Sequence, residues 1–260
     1  GAGMIKEEIR FQDSNIFEGM TSISALLDAR EKGKNNREIK EILFDAAKAS
    51  SKARKLSFLR AKCAELGIPL TMTDAQKINS LTVGNTHGGV IAVCGERTLP
   101  ELCPENLPAG AFLAYLDGIE DPYNFGYALR SLYASGCDGV LVGERNWMSA
   151  AGVVARASAG TSELLPLFRC EPLAAAELLR AHGYRVVCAG IPNSVSYEQS
   201  DLKKPLLLVI GGEKRGISAG LLALADTVVR IDYGRDFRGS LSTAAATAIL
   251  AFEVLRQNRV

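Results

Sequence analysis

Residues 117–136, DGIEDPYNFGYALRSLYASG, place an asparagine and an arginine six positions apart, directly after a tight turn. The turn itself explains Asp121, Pro122 and Gly126, because proline presets φ and glycine tolerates positive φ. It does not explain Arg130 on the helical stretch that follows. A guanidinium offers a planar fork of donors that grips a phosphate through two bonds and stabilises an oxyanion. A second stretch, GGEKRGIS (211–218), has the first and last glycines of a phosphate loop. Ile217 stands where the lysine of such a loop must be, so nothing would reach a β- or γ-phosphate. Nucleoside triphosphate hydrolysis is excluded on that ground. No G-x-G-x-x-G follows the first strand of this half.

These turns need strands to hold them. From residue 109 onward the pattern alternates short apolar runs with helical stretches: AFLAYLD, DGVLVG, RVVCAG, PLLLVIGG and TVVRID against the helices between them. Continuous apolar runs fit strands covered on both faces, hence an α/β domain with a mostly parallel sheet. In such sheets ligands sit at the carboxyl ends of strands. The turns 117–126, 190–193 and 211–216 all follow strands, so they converge on a site. The last helix, SLSTAAATAILAFEVLRQ, is apolar nearly all round and is expected to be buried in the monomer or against a partner.

The first half reads as a smaller α/β domain over residues 1–97, with Gly1-Ala2-Gly3 ahead of Met4 as a vector-derived remnant. NIFEGMTSISALLDA has helical spacing, a basic amphipathic helix stops at Gly67, IPLTMTD is extended, and HGGVIAVCG is a strand after a glycine turn. Residues 98–108, rich in proline, form the linker to a second domain over 109–260.

Over 260 residues the net charge is only +1. Between Arg30 and Lys62, however, eleven Lys and Arg stand against four acids. This run reads either as a solvated face or as a patch for phosphates. No apolar run nears the roughly 18 residues of a membrane span, and no signal peptide opens the chain. A cytoplasmic protein without membrane contact is expected. Its six scattered cysteines are then reduced, and two histidines without local ligand pairing give no metal site.

Four stretches in order, LDGIEDPYNFGYALRSLYASGCDGVLV, ARASAGTSELLPL, LLLVIGGEKRGIS and SLSTAAATAILAFEVLRQ, resemble the successive motifs of the SpoU–TrmH family of RNA ribose methyltransferases, within the SPOUT superfamily. The first half resembles the ribosomal-protein-like substrate domain of many members. The resemblance implies a trefoil knot in the C-terminal domain, which periodicity cannot reveal because knots are nearly absent among folds. It further implies S-adenosylmethionine held in the knot loops, a homodimer with the site near its interface, and methylation of a 2′-hydroxyl in structured RNA, ribosomal or transfer. Two other readings stand beside it: a catalytically weak knotted RNA-binding or ribosome-assembly factor, and a knotted enzyme that methylates a base.

On this resemblance Asn124, Arg130, Glu213 and Ser240 are the catalytic residues, and Ala189, Gly190, Gly211, Ile231 and Leu241 hold the adenosine. Six helical residues turn through about 600°, so Asn124 and Arg130 cannot share a helix face. Asn124 belongs at the helix start, with Arg130 rising toward the cleft. Arg130 positions the acceptor and stabilises the alkoxide; the general base is unassigned, since a guanidinium stays protonated. Glu213 orients Arg130 or the turn, and Ser240 caps the last helix or holds a phosphate. The chain departs from the family at Ser242, where asparagine is usual, and at Asp232-Tyr233, where Pro-Met is usual. The loop after them, GRDFRG, is longer and more charged, with Arg235 and Arg238 as further phosphate contacts or as part of a solvated loop.

Overall fold

The basic amphipathic stretch of the first half packs on a small mixed sheet. The structure, a computed structural model, describes residues 15–82 and 86–260. The described residues up to Thr98, together with Trp147–Leu164, form one unit; Leu99–Asn146 and Leu165–Val260 form another.

In the first unit, Ile16–Glu18 (β1) pairs antiparallel with Val90–Cys94 (β4), which pairs antiparallel with Ile39–Asp45 (β2). Leu70–Thr73 (β3) closes the order β1-β4-β2-β3 by a parallel pairing with β2. Helices Met20–Glu31 (α1), Ala53–Leu66 (α2) and Ala75–Leu81 (α3) complete it. Leu56, Leu59 and Cys63 give α2 one buried face, and the helix ends at Gly67 in a left-handed conformation, φ 70°. Residues 16–18, which carry helical spacing in the sequence, are a strand instead. Phe17 is fully buried against β4, and tertiary pairing overrides local periodicity.

Residues 147–164 lie in the second half of the sequence but pack in this unit, as a short turn and the helices Ala151–Ala157 (α4) and Thr161–Leu164 (α5). Ala151 and Ala155 join the core formed by Phe17, Ile23 and Leu59. Glu163, with a fully buried side chain, accepts from both Arg37 and Arg97. Arg37 also donates to the Gly95 carbonyl at 2.9 Å, and Arg97 to the Ser162 carbonyl at 3.0 Å. A buried carboxylate flanked by two guanidiniums tolerates no loss of its charge. Glu163→Gln is expected to cost about 3 kcal/mol or more of stability, because two buried cations lose their counter-charge. Urea unfolding of the full chain measures this, and a loss under about 1 kcal/mol would show that the cluster is hydrated.

His87 adds a pH-dependent element. Its Nδ1 accepts from the Gly89 N–H at 2.9 Å, so its Nε2 carries the proton and donates to Asn79 Oδ1 at 2.7 Å. Burial, then Lys48, pulls the imidazole pKa below its usual value, outweighing the opposing Asp45. With the folded pKa depressed, the unfolded chain binds more protons once pH falls below about 6.5. The wild type should therefore lose stability between neutral pH and pH 5.5 relative to His87→Gln. Parallel pH profiles for the two proteins would remove His87 as the cause.

In the second unit the apolar runs become Phe112–Asp117 (β5), Gly139–Val142 (β6), Leu167–Arg169 (β7), Arg185–Ala189 (β8), Val195–Ser196 (β9), Leu206–Gly211 (β10) and Thr227–Arg230 (β11). Their order is β7-β6-β5-β10-β8-β11-β9, and every pairing is parallel. β6 is buried throughout, and β5 and β10 at every residue but the last. Pro122–Ala134 (α6), Pro172–Ala181 (α7), Ala219–Leu224 (α8) and Thr243–Asn258 (α9) are its helices, and α9 packs along α6. Helix α7 starts in a way the sequence signals, with Glu171 capping Leu173 and Ala174 and Pro172 in the first turn.

Candidate active site

The carboxyl ends of β8, β10 and β11 surround a cavity of about 530 Å³. Ala189 and Gly190 follow β8; Ile210 to Glu213 follow β10; Val229 to Tyr233 follow β11. Residues 237–241 and the first turns of α9, at Thr243, Ala246 and Leu250, close it. The β5–β10 register sets Gly211 beside Asp117. The Gly212 N–H then donates to the Asp117 carbonyl at 2.9 Å, and Glu120 accepts from the Lys214 N–H at 2.8 Å. The turn after β5 thus braces the loop after β10. The backbones approach so closely that a Cβ on Gly211 would lie 3.1 Å from the Ile217 nitrogen, and one on Gly212 would clash with the Gly118 carbonyl. Gly212 leaves no room for a side chain, and at Gly211 the facing loop backbone would have to shift by a few tenths of an ångström.

Glu213 accepts from the Thr243 N–H at 3.3 Å, which puts a carboxylate at the positive end of α9. Thr243 in turn donates its hydroxyl to the Gly211 carbonyl at 3.5 Å. Glu213 therefore ties its loop to the last helix. The cap of α9 is Ser242, accepting from the Ala245 N–H at 3.1 Å, whereas Ser240 is exposed on the cavity wall. The helix begins at Thr243, so the capping position falls two residues later than Ser240. Serine at 242 is thereby accounted for locally.

Seven of the nine residues singled out in the sequence, Ala189, Gly190, Gly211, Glu213, Ile231, Ser240 and Leu241, line this one cavity. Asn124 and Arg130 do not. Asn124 sits in the first turn of α6, where its backbone N–H and its Nδ2 both donate to Asp121, at 2.8 and 2.7 Å. Arg130, further along α6, is exposed and has no hydrogen bond or ion pair among the described residues.

Of the eleven cations between Arg30 and Lys62, Arg37 belongs to the buried cluster and is no surface charge. Lys52 donates to the Gly88 carbonyl and Arg156 to the Thr86 carbonyl at 3.3 Å, so cations from two parts of the first unit meet at the turn before β4. Burial, then Lys48 and Lys55, lowers the Lys52 pKa. Sequence spacing gave no sign that Arg156 joins this group.

The six cysteines are all free thiols, and burial pushes those of Cys94, Cys137 and Cys188 up to about 12. Among the described residues no helix is long and apolar enough to cross a membrane.

Residues 111–252 match the SpoU rRNA Methylase family, and residues 16–100 match a domain described as RNA 2′-O ribose methyltransferase substrate binding. The chain belongs to the SpoU rRNA methylase family. It is accordingly an RNA ribose methyltransferase by class. It is 30% identical over 213 residues to the 23S rRNA (guanosine-2′-O-)-methyltransferase RlmB of Shewanella oneidensis, covering 79% of this chain and 85% of that protein. The RlmB of Pseudomonas putida is 29% identical over 250 residues, covering 93% and 96%. Among solved structures, the AdoMet-bound rRNA methyltransferase from Sinorhizobium meliloti superposes with a TM-score of 0.77 at 25% identity, covering 98% of this chain and 90% of that one. The parallel sheet of the second unit and the mixed sheet of the first agree with the α/β architecture expected from the resemblance.

Proposed function

We propose that the cavity at the ends of β8, β10 and β11 binds S-adenosylmethionine, and that the chain methylates a ribose 2′-hydroxyl of 23S ribosomal RNA. The observation that carries this is the cavity wall itself. Its volume of about 530 Å³ lies in the ordinary range for a small-molecule site. Its inner walls are glycine backbone and the apolar side chains of Ala189, Ile210, Val229 and Leu250. That apolar part of the lining suits adenosine, with Gly190, Gly211, Ile231 and Leu241 as its nearest walls, while Glu213, Arg230, Asp232 and Arg238 supply the charged part. When bound, the cofactor supplies an electrophilic methyl group on a sulfonium.

The chain's own residues then act on the acceptor. Arg130 grips an RNA phosphate and stabilises the alkoxide as the 2′-hydroxyl loses its proton. Asn124 fixes the start of the helix that carries Arg130. Glu213 holds the loop after β10 against α9, and Ser240 offers a hydroxyl at the cavity rim. The basic first unit binds structured RNA through its phosphates. The same proposal includes the trefoil knot, a cytoplasmic location and a homodimer. Support for the dimer comes from large exposed side chains on two packed helices, Tyr127 and Tyr133 on α6 and Phe252 on α9.

Incubation with methyl-labelled S-adenosylmethionine and separate in vitro transcripts of 23S rRNA, 16S rRNA and transfer RNA tests the acceptor. Label is expected in the 23S transcript; label confined to transfer RNA would overturn that choice.

A further inference from the structure

The loop between β11 and α9 carries two aromatic rings at the mouth of the cavity. Tyr233 and Phe237 have ring centroids 5.7 Å apart at an interplanar angle of 51°. They are 41% and 53% exposed, although both line the cavity. Large rings left in water beside a site call for an explanation. Tyr233 is held in place. The Tyr233 hydroxyl accepts from the Leu241 N–H at 3.2 Å, which ties its ring across the loop. Phe237 lies over Gly239, where any Cβ would collide with the ring.

The charges around the pair are sorted. Arg230 is engaged by Asp232 at 2.8 Å and by Ser194. Arg235 and Arg238 have no ion pair among the described residues, and Arg238 lines the cavity beside the rings. The mouth thus presents π-faces next to the Arg238 guanidinium, with Arg235 and the acid Asp236 on the same loop, an arrangement complementary to a nucleotide with its base on the rings and its phosphate on an arginine.

We infer that the Tyr233–Phe237 pair is a stacking platform for the base of the acceptor nucleotide, with Arg235 and Arg238 taking a neighbouring phosphate. The inference rests on the reading of the cavity as the methyl-donor site. Bringing one ribose to the cavity mouth draws its nucleotide out of the RNA stack, and stacking of its base is lost. A protein ring at the mouth restores that stacking, as aromatic side chains do for splayed-out bases generally. The inner apolar wall is left for the adenosine, so the rings and the donor do not compete.

The test uses the full chain with Phe237→Leu, which keeps apolar bulk but removes the π-face, and Phe237→Trp, which keeps it. Phe237→Leu is expected to raise KM for the in vitro 23S rRNA transcript roughly tenfold, with the change in KM and not in kcat. Phe237→Trp should restore KM, and its added indole fluorescence should be quenched by that transcript. Titration with S-adenosylmethionine should give the same Kd for all three proteins. An unchanged KM in Phe237→Leu overturns the platform, and so does a parallel weakening of S-adenosylmethionine, which would assign the ring to the adenosine wall. Should the wild type transfer no methyl group, the proposed function falls. In that case quenching of Phe237→Trp by RNA, or its absence, still decides the platform.

Discussion

Replacing Gly211 by valine is expected to abolish S-adenosylmethionine binding while the sheet stays folded. Gly211 ends β10 opposite Asp117, and its main chain is fixed by that pairing. A Cβ there meets the backbone of the next loop, 3.1 Å from the Ile217 nitrogen and 3.3 Å from the Gly216 carbonyl carbon. Backbone cannot swing aside as a flexible side chain can, so the two methyls of valine must push loop 212–217 outward or enter the cavity. Either outcome removes the wall proposed for the adenosine. The core residues Leu206 to Ile210 are untouched, so the unliganded melting temperature should stay near that of the wild type. Added S-adenosylmethionine should raise Tm for the wild type by mass action and leave the variant unmoved. Binding that survives the substitution would place the cofactor elsewhere.

Changing Arg130 to lysine is expected to lower methyl transfer on the order of a hundredfold or more, the scale of removing one preorganised oxyanion donor. Lysine keeps the charge but loses the planar two-bond fork. The structure separates two readouts for this variant. Arg130 is not among the residues lining the cavity, so cofactor affinity should match the wild type while single-turnover transfer collapses. Near-normal transfer would remove Arg130 from the chemistry. A parallel fall in cofactor binding would mean that it shapes the pocket from outside.

The sequence made the second unit legible because strands buried on both faces read as unbroken apolar runs, as at Leu206–Ile210. The cavity wall was legible for a related reason. Its residues follow strand ends, so a glycine turn after an apolar run marks the place even before any side-chain geometry is known. What escaped was decided by distant contacts. Ile16–Glu18 has the spacing of a helix and becomes a strand because β4 offers it an edge. Residues 147–164 stand between β6 and β7 in sequence, yet pack in the first unit through a carboxylate buried between Arg37 and Arg97. A chain cut at the proline-rich linker would strand that segment without those partners. The two serines near α9 were ordered by the first helical residue, a boundary that pattern alone sets only to within a few positions. That Arg130 lies outside the lining of the cavity was not legible, because it stands on helix α6 and only the packing of that helix decides which of its residues reach a strand-end cavity.

On the proposed reading this cavity delivers a methyl group to a ribose and to no other part of RNA. A ribose methylated at its 2′-oxygen can no longer attack the adjacent phosphodiester, so alkali leaves that linkage intact. The direct measurement is alkaline hydrolysis of 23S rRNA labelled by the wild-type protein with methyl-labelled S-adenosylmethionine, run beside Gly211→Val. Label is expected in alkali-resistant dinucleotides for the wild type and nowhere for the variant. Label recovered in mononucleotides, or equal label from both proteins, would contradict that reading.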